Sequence, residues 1–270
     1  MTSIVSSTHS RSNQLLQLST RAWFAVVVIG QLIFAYYIIM LYGTAGVQGN
    51  FERWNAQTTH GYVARDLMGN AFFGLHVFFA AVISILGPLQ LISKVRKLFP
   101  AFHRFSGRVY LGSAFLISLA GFYLAWVRGT AGGMIGSVFI TINGLIILVC
   151  VVYTLRFAMK RQIDRHNKWA IRLFLAMSGV WFFRVFLMLW FAIHQAPVGF
   201  DMETFQGPFL NFLYVFVYIL PQVIAEFYFI AKASSFAKPK IAMSVLLGVL
   251  TLGIMVGIAT ATMGMWLPAL

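Results

Sequence analysis

Long apolar runs alternate with short polar ones along the whole chain. Seven runs stand out, at about 22–42, 69–93, 107–127, 136–157, 169–194, 209–232 and 241–264. Each holds about 20–26 residues, enough for a helix to cross an apolar core of about 30 Å at 1.5 Å per residue. Helices satisfy their own backbone hydrogen bonds, as lipid requires. The pattern therefore predicts an all-α, polytopic membrane bundle of seven transmembrane helices. It forms a single domain, 22–264, after a polar tail, 1–21, and before a short end, 265–270. The first run is too long for a signal-peptide core, which is typically about 7–15 residues, so it is expected as a retained helix.

Features inside the runs refine this picture. Pro88, in Gly87-Pro88-Leu89-Gln90, removes a backbone donor and predicts a kink near the end of the second span. The longest loop, 43–68, begins with Gly43, Gly46 and Gly49, and its Phe51, Trp54, Tyr62 and Val63 suit the headgroup level. The last span has no charge, and its Gly253 and Gly257 form a GxxxG pair suited to close helix packing. Ser106 has the chemistry of an N-cap for the third span.

Composition agrees with a membrane protein. The 270 residues are 60% hydrophobic and 10% charged. The net charge of +14 reads first as topology, not as a nucleic-acid surface. Sixteen of the twenty Lys and Arg fall in the N-terminal tail and in the joins after spans two, four and six. Glu52, Asp66, Asp201 and Glu203, four of the six acids, fall in the other loops. By the positive-inside rule this segregation puts the N-terminus in the cytoplasm and the C-terminus outside. The lone Cys150 permits no intrachain disulfide, and there is no CxxC or HExxH to suggest thiolate or zincin chemistry.

Candidate chemistry gathers at two depths. His103 and His166 both precede an apolar run on the cationic side, among Arg104, Arg108, Lys168 and Arg172. His76 lies about 25 Å deeper by helical rise, at the level of His194 and His60. Paired histidines at membrane depth suit axial ligation of haem b, whose propionates seek Arg and Lys at the membrane edge. Tyr110, Trp169, Trp181 and Trp190 have the size to line such a ring. Arg184 and Glu226 are ionisable residues within spans, where charge is costly and functional roles concentrate. Depth argues against their pairing, because Arg184 falls slightly outside the midplane and Glu226 toward the cytoplasm.

The ordered set His76, Gly87-Pro88-Leu89-Gln90, His103-Arg104-Phe105-Ser106-Gly107-Arg108-Val109-Tyr110, His166-Asn167-Lys168-Trp169-Ala170-Ile171-Arg172 and Arg184 resembles a bacterial multispan family. That family is the predicted membrane protein family, domain of unknown function 2306. The resemblance covers about residues 70–195, four of the seven spans. It implies a bacterial inner-membrane protein in which His76, His103, His166, Arg108, Arg172 and Arg184 match the family pattern, and it implies no activity. Locally, His103 followed by Gly107 is similar to haem-ligand segments of the cytochrome b561 type, where a small residue lets the ring approach.

The leading expectation is a haem b-binding or quinone-linked redox protein of the cytoplasmic membrane. His103 and His166 are the inner ligands of the iron and His76 an outer one, with His194 at its depth. Arg104, Arg108 and Arg172 are the propionate anchors, and Tyr110 lies beside the ring. Two readings from other classes stand beside it. One is an accessory or assembly subunit whose basic loops bind a partner protein or anionic lipid, with about 1 kcal/mol of attraction per cation near the surface. The other is a transporter with Glu226 as a proton-coupling carboxylate.

Overall fold

A computed structural model describes residues 2–58, 60–130 and 132–270, with side chains from Arg11 onward. No strand occurs among the described residues. The long helices are α1 (Thr2–Ile38), α3 (Leu67–Leu91), α5 (Pro100–Tyr123), α6 (Gly133–Met159) and α11 (Ala237–Ala261). The short α2 (Thr44–Val47) and α4 (Ser93–Leu98) lie in connections. Two runs are divided, one into α7 (Ile163–Met177) and α8 (Gly179–His194), the other into α9 (Pro208–Tyr218) and α10 (Leu220–Ala233).

Six helical stretches have the length and hydropathy of a membrane span, and a seventh is completed by α7 and α8, bent by 52° at Ser178. The packing makes that broken pair a crossing. Leu16 packs with Met243 and Leu247, Gly30 meets Ile258, and Phe34 and Tyr37 reach Trp266. So α1 and α11 run parallel, which requires an odd number of crossings. The far end of α8 confirms it: Trp190 stacks on Phe209 at 4.2 Å, beside the start of α9.

Several helix starts differ from the hydropathy pattern. The polar stretch before residue 22 is helical rather than a tail, and Leu16 buries itself against α10 and α11. The third span starts at Pro100, not 107, because proline's fixed φ suits the first helical position. The fifth starts at Ile163, not 169, with Asp164 favourably placed in its first turn. His103 and His166 therefore sit on helices, not in loops. Ser106 lies inside α5 and caps nothing. Its Oγ donates to the Phe102 carbonyl at 2.7 Å and accepts from Gln90 Nε2 at 2.8 Å. Helix α3 runs through Pro88 and ends at Leu91, where Ile92 turns extended.

Packing divides into two main cores. One joins α1, α8, α9 and α11 through residues such as Val27, Phe34, Val185, Leu213 and Ile254. The other lies among α3, α5, α6 and α7 and includes Ile83, Tyr110, Ala114, Ile147, Cys150 and Leu173. The loop from Gly43 to Asp66 closes one end. Trp54 is enclosed by its neighbours. It is buried, its Nε1 donating to the Tyr42 carbonyl at 3.0 Å and its ring packing on Phe51 and Phe73. Gly74 leaves room for that ring.

Arg128 pins this loop to the bundle. Its Nη1 donates to the carbonyls of His60 and Gly61, and its Nη2 to Asn70 Oδ1 and to Asp66 Oδ2 at 2.8 Å. Asp66 in turn caps α3 by accepting from the Gly69 N–H at 2.9 Å. That hydrogen bond first, and Arg128 second, hold the Asp66 carboxyl below its ordinary range. A lowered folded-state pKa stabilises at pH above the unfolded value of about 3.9, and the effect is lost as pH falls through the folded value. Loop protection against hydrogen exchange should hold from neutral pH down to about pH 4 and fall only below it. Asp66→Asn should flatten that acid limb.

Candidate functional site

The second core carries the histidine pair at its cationic end. His103 lies in the first turn of α5 and His166 in the first turn of α7, and each half-buried ring is within electrostatic reach of the other. His166 Nδ1 lies 3.0 Å from the Thr154 carbonyl on α6. Taken as a donor there, Nδ1 fixes the ring's tautomer and orientation and leaves Nε2 as the acceptor or ligand atom. The Nδ1 of His103 is buried without a hydrogen-bond partner. So are Tyr110 Oη, seven residues further along α5, and Thr154 Oγ1. Buried polar groups ordinarily find partners, so these three atoms on α5 and α6 are exceptions.

The motifs singled out in the sequence meet where α3 packs on α5. A Cβ on Gly87 would stand 3.2–3.3 Å from Tyr110 and Phe174. A Cβ on Gly107 would stand 3.0 Å from Gln90 Oε1. The Gly87–Gln90 and Ser106–Tyr110 segments are thus the two sides of one α3–α5 seam. At Gly107 the missing Cβ leaves room for the Gln90 side chain. Tyr153 stacks on Trp169 at 4.5 Å, and Arg96 Nη1 donates to Asn167 Oδ1 at 3.1 Å beside the histidines.

The cations expected as anchors separate into two groups. Arg104 and Arg108 are exposed on α5 beside His103. Arg172 is engaged elsewhere. Its Nη2 and Nε reach Glu226 Oε1 at 2.6 and 2.7 Å, and its guanidinium lies over the rings of Trp169 and Phe229 at 4.7 and 5.0 Å. The Arg172 carbonyl accepts from Gln222 Nε2 at 3.1 Å. Glu226 is thus the partner of Arg172, not of Arg184. No sequence signal announces this pair, because α7 and α10 are far apart in the chain.

The outer histidines do not assemble. His194 is exposed at the far end of α8 and packs on Trp190, their ring centroids 3.9 Å apart and their planes tilted by 50°. His60 is an exposed loop residue. His76 faces α5, where its ring lies 3.7 Å from the Cβ position of Gly121, and its Nδ1 is buried without a hydrogen-bond partner. Trp181 packs over Gly30 on α1, so neither it nor Trp190 lines the region of His103 and His166. Among the described residues no three His, Cys, Asp or Glu side chains form a metal-holding group.

The fold and its composition define an integral membrane protein of the helical type, with a four-helix core that carries paired histidines at one end. Residues 73–207, half of the chain, match the family described as Predicted membrane protein (DUF2306), and the chain belongs to that family. The match begins in α3 and ends just before α9, so it covers the α3–α5–α6–α7 core. No curated protein and no solved structure matches the chain.

Proposed function

We propose that the protein binds haem b between α5 and α7, with His103 and His166 as axial ligands, and carries electrons within the membrane. The supporting observation is the bond between His166 Nδ1 and the Thr154 carbonyl. Ligand histidines are held in this way, by a carbonyl that fixes the ring and raises the basicity of the ligating nitrogen. His103 adds a second imidazole in electrostatic reach and a buried Nδ1 without a partner. A donor set of two histidines with no third ligand suits a haem iron, which needs two axial groups, better than a non-haem metal.

The haem supplies reversible one-electron chemistry. The chain supplies the rest. Thr154 holds the His166 ring, Ile83, Tyr110 and Leu173 keep water from the interior, and the exposed Arg104 and Arg108 offer their charge to the propionates at the membrane edge. Arg172, bound to Glu226, is left out of that anchoring. The cationic end is assigned to the cytoplasmic side of a bacterial inner membrane, on the positive-inside rule. A quinone is the natural exchange partner for such a carrier, since both lie within the bilayer.

Protein expressed with ample haem and purified in detergent should show a Soret band and a reduced alpha band. His103→Ala and His166→Ala should each abolish both bands while leaving helical circular dichroism unchanged. Colourless wild-type protein, or an unaltered spectrum in both variants, would exclude the reading.

A further inference from the structure

Two ion pairs form among the described residues, and Arg184 belongs to neither. It lies ten residues before His194, the last residue of α8, so about 15 Å below that end and near mid-bilayer. Arginine keeps its proton at any relevant pH. A charge at this depth normally faces the bundle interior and finds a counter-charge there. The contacts Arg184 does make are dipolar. Its Nη1 donates to the Val180 carbonyl at 3.3 Å, and its guanidinium lies over the Phe34 ring at 5.5 Å. The residue is half-buried, and the buried Phe34 ring sets its guanidinium against α1.

Three further features favour an anion at the same place. The bond to Val180 folds the guanidinium back by one turn, toward the start of α8. That start is the break at Ser178, where α7 ends, the chain bends by 52°, and Gln31 Nε2 donates to Ser178 Oγ at 2.7 Å. The N-terminal end of a half-helix inside a membrane carries positive potential. Between the break and Arg184, Trp181 is 2% exposed, and its Nε1–H has no acceptor. Trp181 and Arg184 both face α1, through Gly30 and Phe34. A fixed positive charge and a buried donor without an acceptor together call for one acceptor that carries one negative charge.

We propose that Arg184 and Trp181, at the α7–α8 break, form a mid-membrane site for a single carboxylate group. The carboxylate belongs to an amphiphile that enters from the bilayer or to a small organic acid that enters from water. The guanidinium fork donates to both carboxylate oxygens, and Trp181 donates to one of them. The site lies in the core of α1, α8, α9 and α11, so it is independent of the histidine pair and of haem.

The test uses the full chain in non-ionic detergent with radiolabelled oleate, benzoate and their methyl esters. Saturable binding of oleate or benzoate is expected, with the methyl esters at least about tenfold weaker. Binding of oleate alone identifies a lipid source, and binding of benzoate a soluble one. Arg184→Gln should weaken the acid at least about tenfold, and Arg184→Lys, which keeps the charge but not the fork, by about threefold. Should Arg184→Gln fail to fold, Trp181→Phe removes the donor alone and should weaken binding by about fivefold. Absence of saturable binding to the wild type, equal binding of acid and ester, or full affinity in the folded variants would overturn the proposal.

Discussion

Gly257→Val should force α8 away from α11 and destabilise the protein by about 3 kcal/mol, toward the upper end for an overpacked core. A Cβ at Gly257 would fall inside the contact radius of the Val185 carbonyl oxygen and 2.7 Å from Val185 Cγ1. Backbone cannot rotate out of the way as a side chain can. Relief therefore requires moving one helix. The same crossing includes α1, where a Cβ on Gly30 would stand 2.5 Å from both Trp181 and Ile258. Three helices converge on two glycines, as expected where packing in lipid depends on small residues. The displaced segment of α8 also carries Arg184. Titration with SDS in mixed micelles, followed by circular dichroism, measures the loss. Gly248→Val is the control, since nothing lies within 4 Å of a Cβ there, and it should change stability by less than about 0.5 kcal/mol. Equal resistance of the two variants would show that α8 and α11 do not meet at Gly257.

Arg128→Met should release the loop from Gly43 to Asp66 without unfolding the helices. The Arg128 side chain is 5% exposed and donates to two loop carbonyls and to the side chains of Asp66 and Asn70. Asn70 also closes on the Val63 backbone, its Nδ2 donating to the carbonyl and its Oδ1 accepting from the N–H. One guanidinium thus joins the end of the third span, the start of α3 and the intervening loop. Methionine fills the volume but offers no donor, which leaves those acceptors stranded. Trypsin cleavage after Arg65, an exposed residue with φ of 66°, should accelerate at least about tenfold. Arg128→Lys should recover little, because a single ammonium cannot reach the same set of acceptors. Cleavage at the wild-type rate would mean that Trp54 and its aromatic neighbours hold the loop alone.

The spans were legible because lipid imposes a local rule. Each crossing must be about 20 apolar residues long, and that length is visible wherever it occurs in the chain. Helix starts were less legible. The first turns of α5 and α7 contain Phe102-His103-Arg104 and Arg165-His166-Asn167-Lys168, which read as polar connections although the backbone there is already helical. Gly253 and Gly257 were recognisable as a packing surface. Their partner, Leu189 and Val185 on α8, was not, since GxxxG describes one helix and says nothing of its neighbour. The α7–α8 break lacks the proline that marks the α9–α10 break at Pro221.

The sequence by itself determined an all-α membrane protein, the apolar runs that serve as its crossings and the concentration of cations in alternate connections. These depend on composition over short windows, and no distant residue can alter them. Only the tertiary structure decided how the sparse polar groups are matched. It paired Arg172 with Glu226 and Arg128 with Asp66, brought His103 and His166 to one end of one core, set His76 apart from His194, and left Arg184 without a carboxylate. Such pairings join residues tens of positions apart, and they follow from the angle at which helices cross and from the glycines that permit close approach. Hydropathy carries no record of either.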